Sequence, residues 1–139
     1  MPQHVRDLMT PNPVVLSGTA SVVEAACAMR DAQIGDVLVL EHQQVCGIVT
    51  DRDIVVRLVA EDRDPKTTTL ADLCSHALVV LNPTDSIEEA VRLMRTHAVR
   101  RLPVVDHGQA VGIVSLGDLA IARDPDSALG EISVAPPTE

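Results

Sequence analysis

The sequence predicts an α/β chain of the α+β type, made of two copies of one β-α-β-β-α unit. Three observations carry this. GIVTDRD at 47–53 returns as GIVSLGD at 112–118. Sliding the whole chain by the same 65 positions brings Val14–Leu16 onto Val79–Leu81 without a gap. It also brings Ser21, Glu24, Ala25, Met29 and Arg30 onto Ser86, Glu89, Ala90, Met94 and Arg95, and roughly a third of positions 5–55 match 70–120. Finally, in each copy a short apolar run gives way to helical spacing and then to two further apolar runs.

Each element has its own signal. Val14–Leu16 and Val79–Leu81 read as short strands. Ser21-x-x-Glu24 and Ser86-x-x-Glu89 read as capping boxes, in which the hydroxyl serves the N3 amide and the carboxylate returns to the N-cap amide. Ala25, Met29 and Ala32, then Ala90, Met94 and Ala98, recur at helical spacing. Val37–Glu41 with Val45–Thr50, and Leu102–Asp106 with Ala110–Ser115, form hairpins across the polar turns HQQ and HGQ. A second helix starts at Asp51 and at Leu116. VLVL and LPVV are apolar on both sides, so both faces of those strands should be covered. A 50-residue unit buries little surface alone, which favours two units packed sheet face to sheet face. The predicted organisation is repeat 1 at 1–62, repeat 2 at 63–123, and an acidic, Pro-containing, flexible tail at 124–139.

Composition narrows the function. Phe, Tyr and Trp are absent, so a ligand ring would have to lie between aliphatic side chains. The net charge of −9 opposes nucleic-acid binding, which needs clustered cations; Arg100–Arg101 is the densest basic pair. No apolar run reaches 18 residues and no signal segment opens the chain, which predicts a cytoplasmic protein without membrane contact. Cys27, Cys46 and Cys74 are odd in number with no C-x-x-C, against a disulfide framework or a zinc site, and the His residues show no metal spacing. A thiol role for Cys46 beside Gly47 is the weaker alternative to simple packing. There is no P-loop and no nucleophile elbow, so an enzyme is not predicted.

The repeated phrase has two readings. Thr50 and Ser115 stand where a strand turns into a helix, with free N–H groups and a positive dipole end that attract phosphate. Asp53 and Asp118, one turn in, could each accept both hydroxyls of a ribose. Yet T-x-x-D and S-x-x-D are also capping boxes in which the carboxylate serves its own helix start.

Two β-α-β-β-α units that each end in Gly-apolar-apolar-[Thr/Ser]-x-x-Asp, with VRDLMT, TDRDIV and VRRLPVVD, resemble a tandem pair of CBS domains, the Bateman module. The likeness covers about residues 5–122 and is strongest to stand-alone bacterial pairs, among them the actinobacterial hypoxia-response proteins. It implies pseudo-twofold packing with two clefts that bind adenine nucleotides or S-adenosylmethionine as regulatory signals. One cleft would use Ser115 for phosphate, Asp118 for ribose, and His97 for charge, with Thr10, Val14, Ile34 and Gly35 at the base. The other would use Thr50 and Asp53, faced by Ser75, Val79, Val99, Arg100 and Arg101. His97 and the Arg pair read equally well as solvated surface charge. Leu38 stands in the place of Pro103, Gln33 replaces a helix-end His, and Asp36 and Asp51 add negative charge. These departures predict weak or single-site binding, with AMP favoured over ATP. No cofactor is required; AMP, ADP, ATP or S-adenosylmethionine would be regulatory ligands. The resemblance further implies a homodimer signalling to a protein partner. The alternative function is an interaction scaffold with vestigial clefts.

Overall fold

The computed structural model describes residues 3–74 and 78–135. The chain divides into two compact units, Val14–Leu78 (unit 2) and Met1–Pro13 with Val79–Glu139 (unit 1).

In unit 2, β2 (Val15–Ser17) leads to α1 (Val22–Ala32), then to β3 (Asp36–Glu41) and β4 (Gln44–Thr50). The sheet order is β2-β3-β4, with β2 parallel to β3 and β3 antiparallel to β4. Ser21 caps α1, its Oγ accepting from the Glu24 amide at 3.2 Å. Val22, Ala25 and Met29 turn inward and meet Val37, Val39 and Val49 in one buried cluster. Val37, Leu38 and Val39 are all fully buried, as strands apolar on both sides require. The β3–β4 turn places His42 and Gln43 at φ 51° and 64°, the left-handed pair of a hairpin turn matched to strand twist. After β4 comes α2 (Asp51–Ile54), then a π-helical turn (Val55–Val59) and α3 (Leu70–Leu73).

Unit 1 repeats this plan with α4 (Ile87–His97), β5 (Arg101–Asp106), β6 (Gln109–Ser115) and α5 (Leu116–Arg123). Ser86 Oγ accepts from the Glu89 amide at 3.0 Å. Ile87, Ala90 and Met94 pack with Leu102, Val104, Val114 and Leu119. The third strand of its sheet is β1 (Thr10–Pro11), antiparallel to β6. Both hairpins shift register at the same place, between Val39 and Leu40 and between Val104 and Val105.

Four differences from the sequence reading have physical causes. Val79–Leu81 does not form a strand; it keeps only the Leu81–Val104 bridge. In unit 2, the Leu38 amide donates to Val14 O at 2.9 Å. The matching donor in unit 1 would be Pro103, which has no N–H. The capping boxes at Ser21 and Ser86 are half made: their hydroxyls cap, but the return carboxylate bond is formed at Thr50, Thr69 and Ser115 instead. Glu89 is held by Arg92, whose Nε donates to it at 2.9 Å.

The compact units also follow a different cut from 1–62 and 63–123. Val5 and Leu70, matching positions at the head of each repeat, are fully buried beneath the helix of the other copy. Val5 N donates to Asp85 O and Leu70 N to Ala20 O, both at 2.9 Å. Lastly, the segment 124–139, expected to be loose, contains α6 (Ala128–Val134) packed on α5. Ser127 caps it, its Oγ accepting from the Gly130 amide at 3.0 Å. Gly117 makes room for it: a Cβ there would stand 2.7 Å from Ser133 Oγ.

Candidate functional site

The two T/S-x-x-D motifs occupy identical local geometry. Thr50 and Ser115 are N-caps of α2 and α5, both at φ −108° and ψ 165°. The strand hydrogen bonds beside them also match: Asp51 N donates to Gly35 O and Leu116 N to Arg100 O, both at 2.9 Å. Each Asp turns back on its own helix. Asp53 Oδ2 accepts from Thr50 N, and Asp118 Oδ2 from Ser115 N, both at 2.8 Å. The hydroxyls reciprocate, accepting from the Asp53 and Asp118 amides at 3.2 and 3.1 Å. The capping reading of the motif is therefore realised in both copies.

What remains uncommitted differs. In unit 2 the Thr50 hydroxyl donates to Asp53 Oδ2 at 3.1 Å. Asp53 Oδ1 lies 3.8 Å from Arg57 Nε. The Arg52 amide is taken by Asp51 Oδ1 at 2.8 Å. The Thr50 hydroxyl, both Asp53 oxygens and the Arg52 amide thus all have partners, and α2 is only four residues long before the π-helical turn. In unit 1 the position of Asp51 is held by Leu116, and that of Arg52 by Gly117. Among the described residues no acceptor takes the Gly117 amide or the Ser115 hydroxyl proton, and Asp118 Oδ1 has no partner. A donor pair and a carboxylate oxygen thus stand together at the start of the eight-residue α5. That set suits an anion and a vicinal diol.

The other predicted residues distribute by unit. Thr10 pairs with Ile113 on β6, and Arg101 with Ser115, so both flank the Ser115 end of the unit 1 sheet. His97 is the last residue of α4, where the helix dipole favours a cation. Val79 is half-buried against the unit 1 core. Val99 and its unit 2 counterpart Ile34 follow the left-handed residues Ala98 and Gln33, and each is 36% exposed. Val14 and Gly35 supply carbonyls to the sheet and helix start of unit 2, as described above. Ser75 lies outside the described residues. The sequence reading missed the role of Asp51. It registered as added charge, yet its carboxylate closes the helix start of its own copy; the signal was the Asp51/Leu116 mismatch.

A separate depression of about 400 Å³ lies at the hairpin end of the unit 2 sheet, lined by Ser17, Thr19, Glu41, His42, Thr69 and Ala71 among others. It is roughly 16 Å along β3 from Thr50 and shares none of the motif residues. No helix is long and apolar enough to cross a membrane among the described residues, and none of these form a group of three or more His, Cys, Asp or Glu able to hold a metal.

Comparison with known proteins agrees with this geometry. The family model for the CBS domain matches twice, at residues 5–60 and 70–124. CBS domain-containing protein YhcV of Bacillus subtilis is 40% identical over 126 residues, covering 91% of this chain and 89% of its own. Hypoxic response protein 1 of Mycobacterium tuberculosis is 33% identical over 116 residues, covering 83% and 81%. A crystal structure of Hypoxic Response Protein I with two coordinated zinc ions has 32% identity and a TM-score of 0.75, covering 86% of this chain and 98% of that one. The CBS domain pair of MJ0100, in complex with 5′-methylthioadenosine and S-adenosyl-L-methionine, shares the fold with a TM-score of 0.79 at 21% identity, covering 91% and 100%. CBS-domain proteins are generally regulatory modules. With the repeated motif, the duplicated sheet and helix order, and two family matches spanning nearly the whole chain, this protein belongs to the CBS-domain family as a tandem pair.

Proposed function

We propose that this CBS pair is a regulatory sensor that binds an adenosyl ligand at one motif, Ser115–Asp118, and signals without chemistry. The observation that carries this reading is the difference in uncommitted groups. The Ser115 hydroxyl and Gly117 amide can donate to one phosphate, and Asp118 Oδ1 can accept from a ribose diol. At Thr50–Asp53 the same groups are already paired within the chain. Thr10, which the resemblance assigns to the base, pairs with Ile113 on β6, in the same sheet as Ser115. Two donors and a strongly negative chain favour AMP over ATP, because each further phosphate adds charge without adding a donor. The protein acts as a cytoplasmic homodimer with a downstream protein partner in this reading.

Calorimetric titration of AMP and ATP tests it. AMP should bind more tightly than ATP, with one site per chain. Asp118→Asn, which keeps a capping oxygen but removes the charge, should weaken AMP about tenfold to a hundredfold. Asp53→Asn should leave it nearly unchanged. Equal losses at both positions, or tighter ATP, would refute single-site binding.

A second reading has its own observation. Val55, Val56 and Val59 on the π-helical turn are 58%, 41% and 63% exposed, an apolar row suited to an interaction scaffold. No rise in melting temperature across a panel of adenine nucleotides and S-adenosylmethionine would favour this reading.

A further inference from the structure

The depression of about 400 Å³ in unit 2 lies between the chain after β2, the end of β3 and the start of α3. Comparison of the repeats shows what opens it. At the offset of 65, Gly18 matches Pro83 and Ala71 matches Arg6. The backbone bond between these positions is the same in both copies: Ala71 N donates to Gly18 O, and Arg6 N to Pro83 O, each at 3.0 Å. The chain path is thus shared, and the space in unit 2 comes from smaller side chains. A Cβ on Gly18 would stand 3.0 Å from Glu41 Cγ and Oε1, and 3.4 Å from Ala71 Cβ. The Glu41 side chain therefore lies over a bare glycine.

The carboxylates at this end of the two sheets also differ. In unit 1 the matching Asp106 lies 3.4 Å from His107 Nε2. The Glu41 carboxylate is half-buried, yet it makes no hydrogen bond or ion pair among the described residues. A partly desolvated carboxylate without a counter-charge favours a cation that brings its own donors. Beside it, Ser17 Oγ and Thr19 Oγ1 are 2.9 Å apart and are bonded to each other. That bond uses one of their two protons and leaves lone pairs to accept from a further donor. Leu40 and Ala71 add apolar wall.

We propose that this cleft is a second ligand site, which takes a small organic amine. A primary ammonium would sit against Glu41, other donors against the Ser17 and Thr19 oxygens, and the carbon chain along Leu40 and Ala71. A neutral polyol would leave the carboxylate without its counter-charge, and an anion would be repelled by it and by the net charge of −9. A metal ion is the poorer occupant, because Glu41 is the one carboxylate in the lining and no metal-holding group of three occurs among the described residues. The cleft shares no residue with either T/S-x-x-D motif, so its occupancy can be read whether or not AMP binds.

The test titrates the isotope-labelled full-length protein with putrescine at about pH 7.5, where amine and carboxylate are both charged, and follows the amide resonances. Saturable shifts are expected at Gly18, Glu41, His42 and Ala71, and none around Asp106 or Asp118. Glu41→Gln keeps the shape and removes the charge; it should weaken binding about tenfold or more with an unchanged melting temperature. Gly18→Ala should weaken it by filling the floor of the cleft. Ala71→Arg, which brings in the cation that unit 1 carries at the matching position, should abolish it. Asp106→Asn should bind as wild type does. Butanediol, the uncharged counterpart of putrescine, should bind about tenfold more weakly. Shifts that spread over the acidic surface without saturating would overturn the proposal. So would equal binding of butanediol, a magnesium ion that gives the same shifts at lower concentration, or Glu41→Gln that binds as tightly as wild type.

Discussion

Leu38 and Pro103 hold the same place in the two repeats, and the difference between them decides how each sheet is completed. The Leu38 amide reaches Val14 O at 2.9 Å and seats β2 beside β3 as a parallel strand. Pro103 has no amide hydrogen to offer, and Val79–Leu81 keeps one bridge at Leu81. The flanking bonds survive, with Leu81 N donating to Pro103 O at 2.9 Å and Val105 N to Leu81 O at 2.8 Å. A single missing donor therefore shortens a strand without displacing the chain. A duplicated fold can keep its backbone path while the two copies diverge in which hydrogen bonds they close.

Making the copies alike at this point should have the largest effect. Leu38→Pro removes a sheet donor and a fully buried side chain at once. It should cost about 3–5 kcal/mol, read as a large fall in melting temperature with loss of amide protection in 15–17. The opposite change, Pro103→Leu, restores a donor opposite Val79 O and should add a protected amide at position 103. A small loss in Leu38→Pro would mean that packing, and not the amide, seats β2.

Next in size is alkaline stability, which separates the units because all the cysteines, Cys74 among them, lie in unit 2. Cys74 titrates at about 11 in the folded chain against an ordinary value of 9.0. Burial, then the neighbouring Cys46, favours the protonated thiol. Below pH 9 both folded and unfolded chains keep that proton, and the stabilisation is whole. Between pH 9 and 11 the unfolded chain loses it first, so stability should fall with rising pH, by about 2 kcal/mol in all. Denaturant unfolding across that range should show the fall in wild type and lose most of it in Cys46→Ser/Cys74→Ala. At the acid end Asp7 and Asp72 act alike: the His4 amide and the Thr69 hydroxyl hold their carboxyls below the usual range. Their support is present above that range and disappears as pH drops through the lowered values.

Much of this was legible in the residues themselves. The offset of 65, the hairpins, the helix starts at Ser21 and Ser86 and the buried faces of α1 and α4 are local signals, and local signals survive folding. The exchange of Val5 and Leu70 between repeats was not legible, because which helix covers a short apolar segment is a question of chain path. Helix α6 was missed because an acidic, Pro-containing composition hides a short capped helix whose docking depends on Gly117 in the preceding helix. The two readings of T-x-x-D could not be separated in sequence, since both need the same residue types. Coordinates show the capping bonds, and the neighbours Asp51 and Leu116 set how much of each motif is left over.

That leftover can be moved from one copy to the other. Leu116→Asp places in unit 1 the residue that closes the helix start of unit 2, at a position already 43% exposed. The new carboxylate should accept from the Gly117 amide as Asp51 does from Arg52 at 2.8 Å. Helix α5 should gain about 0.5 kcal/mol from a negative charge at its start, while AMP affinity should fall about tenfold, or about 1.4 kcal/mol. Calorimetry and thermal unfolding on the same variant read the two effects apart. Affinity that holds steady would mean that the Gly117 amide takes no part in binding.

The smallest expected effect concerns the ends of α1 and α4, where the copies agree in shape but not in residue. Gln33 and Ala98 both lie in the left-handed region, at φ 54° and 53°. Their helices close in the same way, Ile34 N donating to Met29 O at 3.0 Å and Val99 N to Met94 O at 3.1 Å. Neither residue is glycine, so each keeps a Cβ crowded against its own carbonyl. Ala98→Gly relieves this but also frees the unfolded chain, and the net gain should be about 0.5–1 kcal/mol. Ala98 brings no polar side chain to offset the crowding, whereas Gln33 does. Thermal unfolding of Ala98→Gly and Gln33→Gly should therefore give a clear rise for the first and a smaller one for the second. Equal rises would show that the two caps are energetically the same and that the repeats differ only where hydrogen-bond donors were lost or closed.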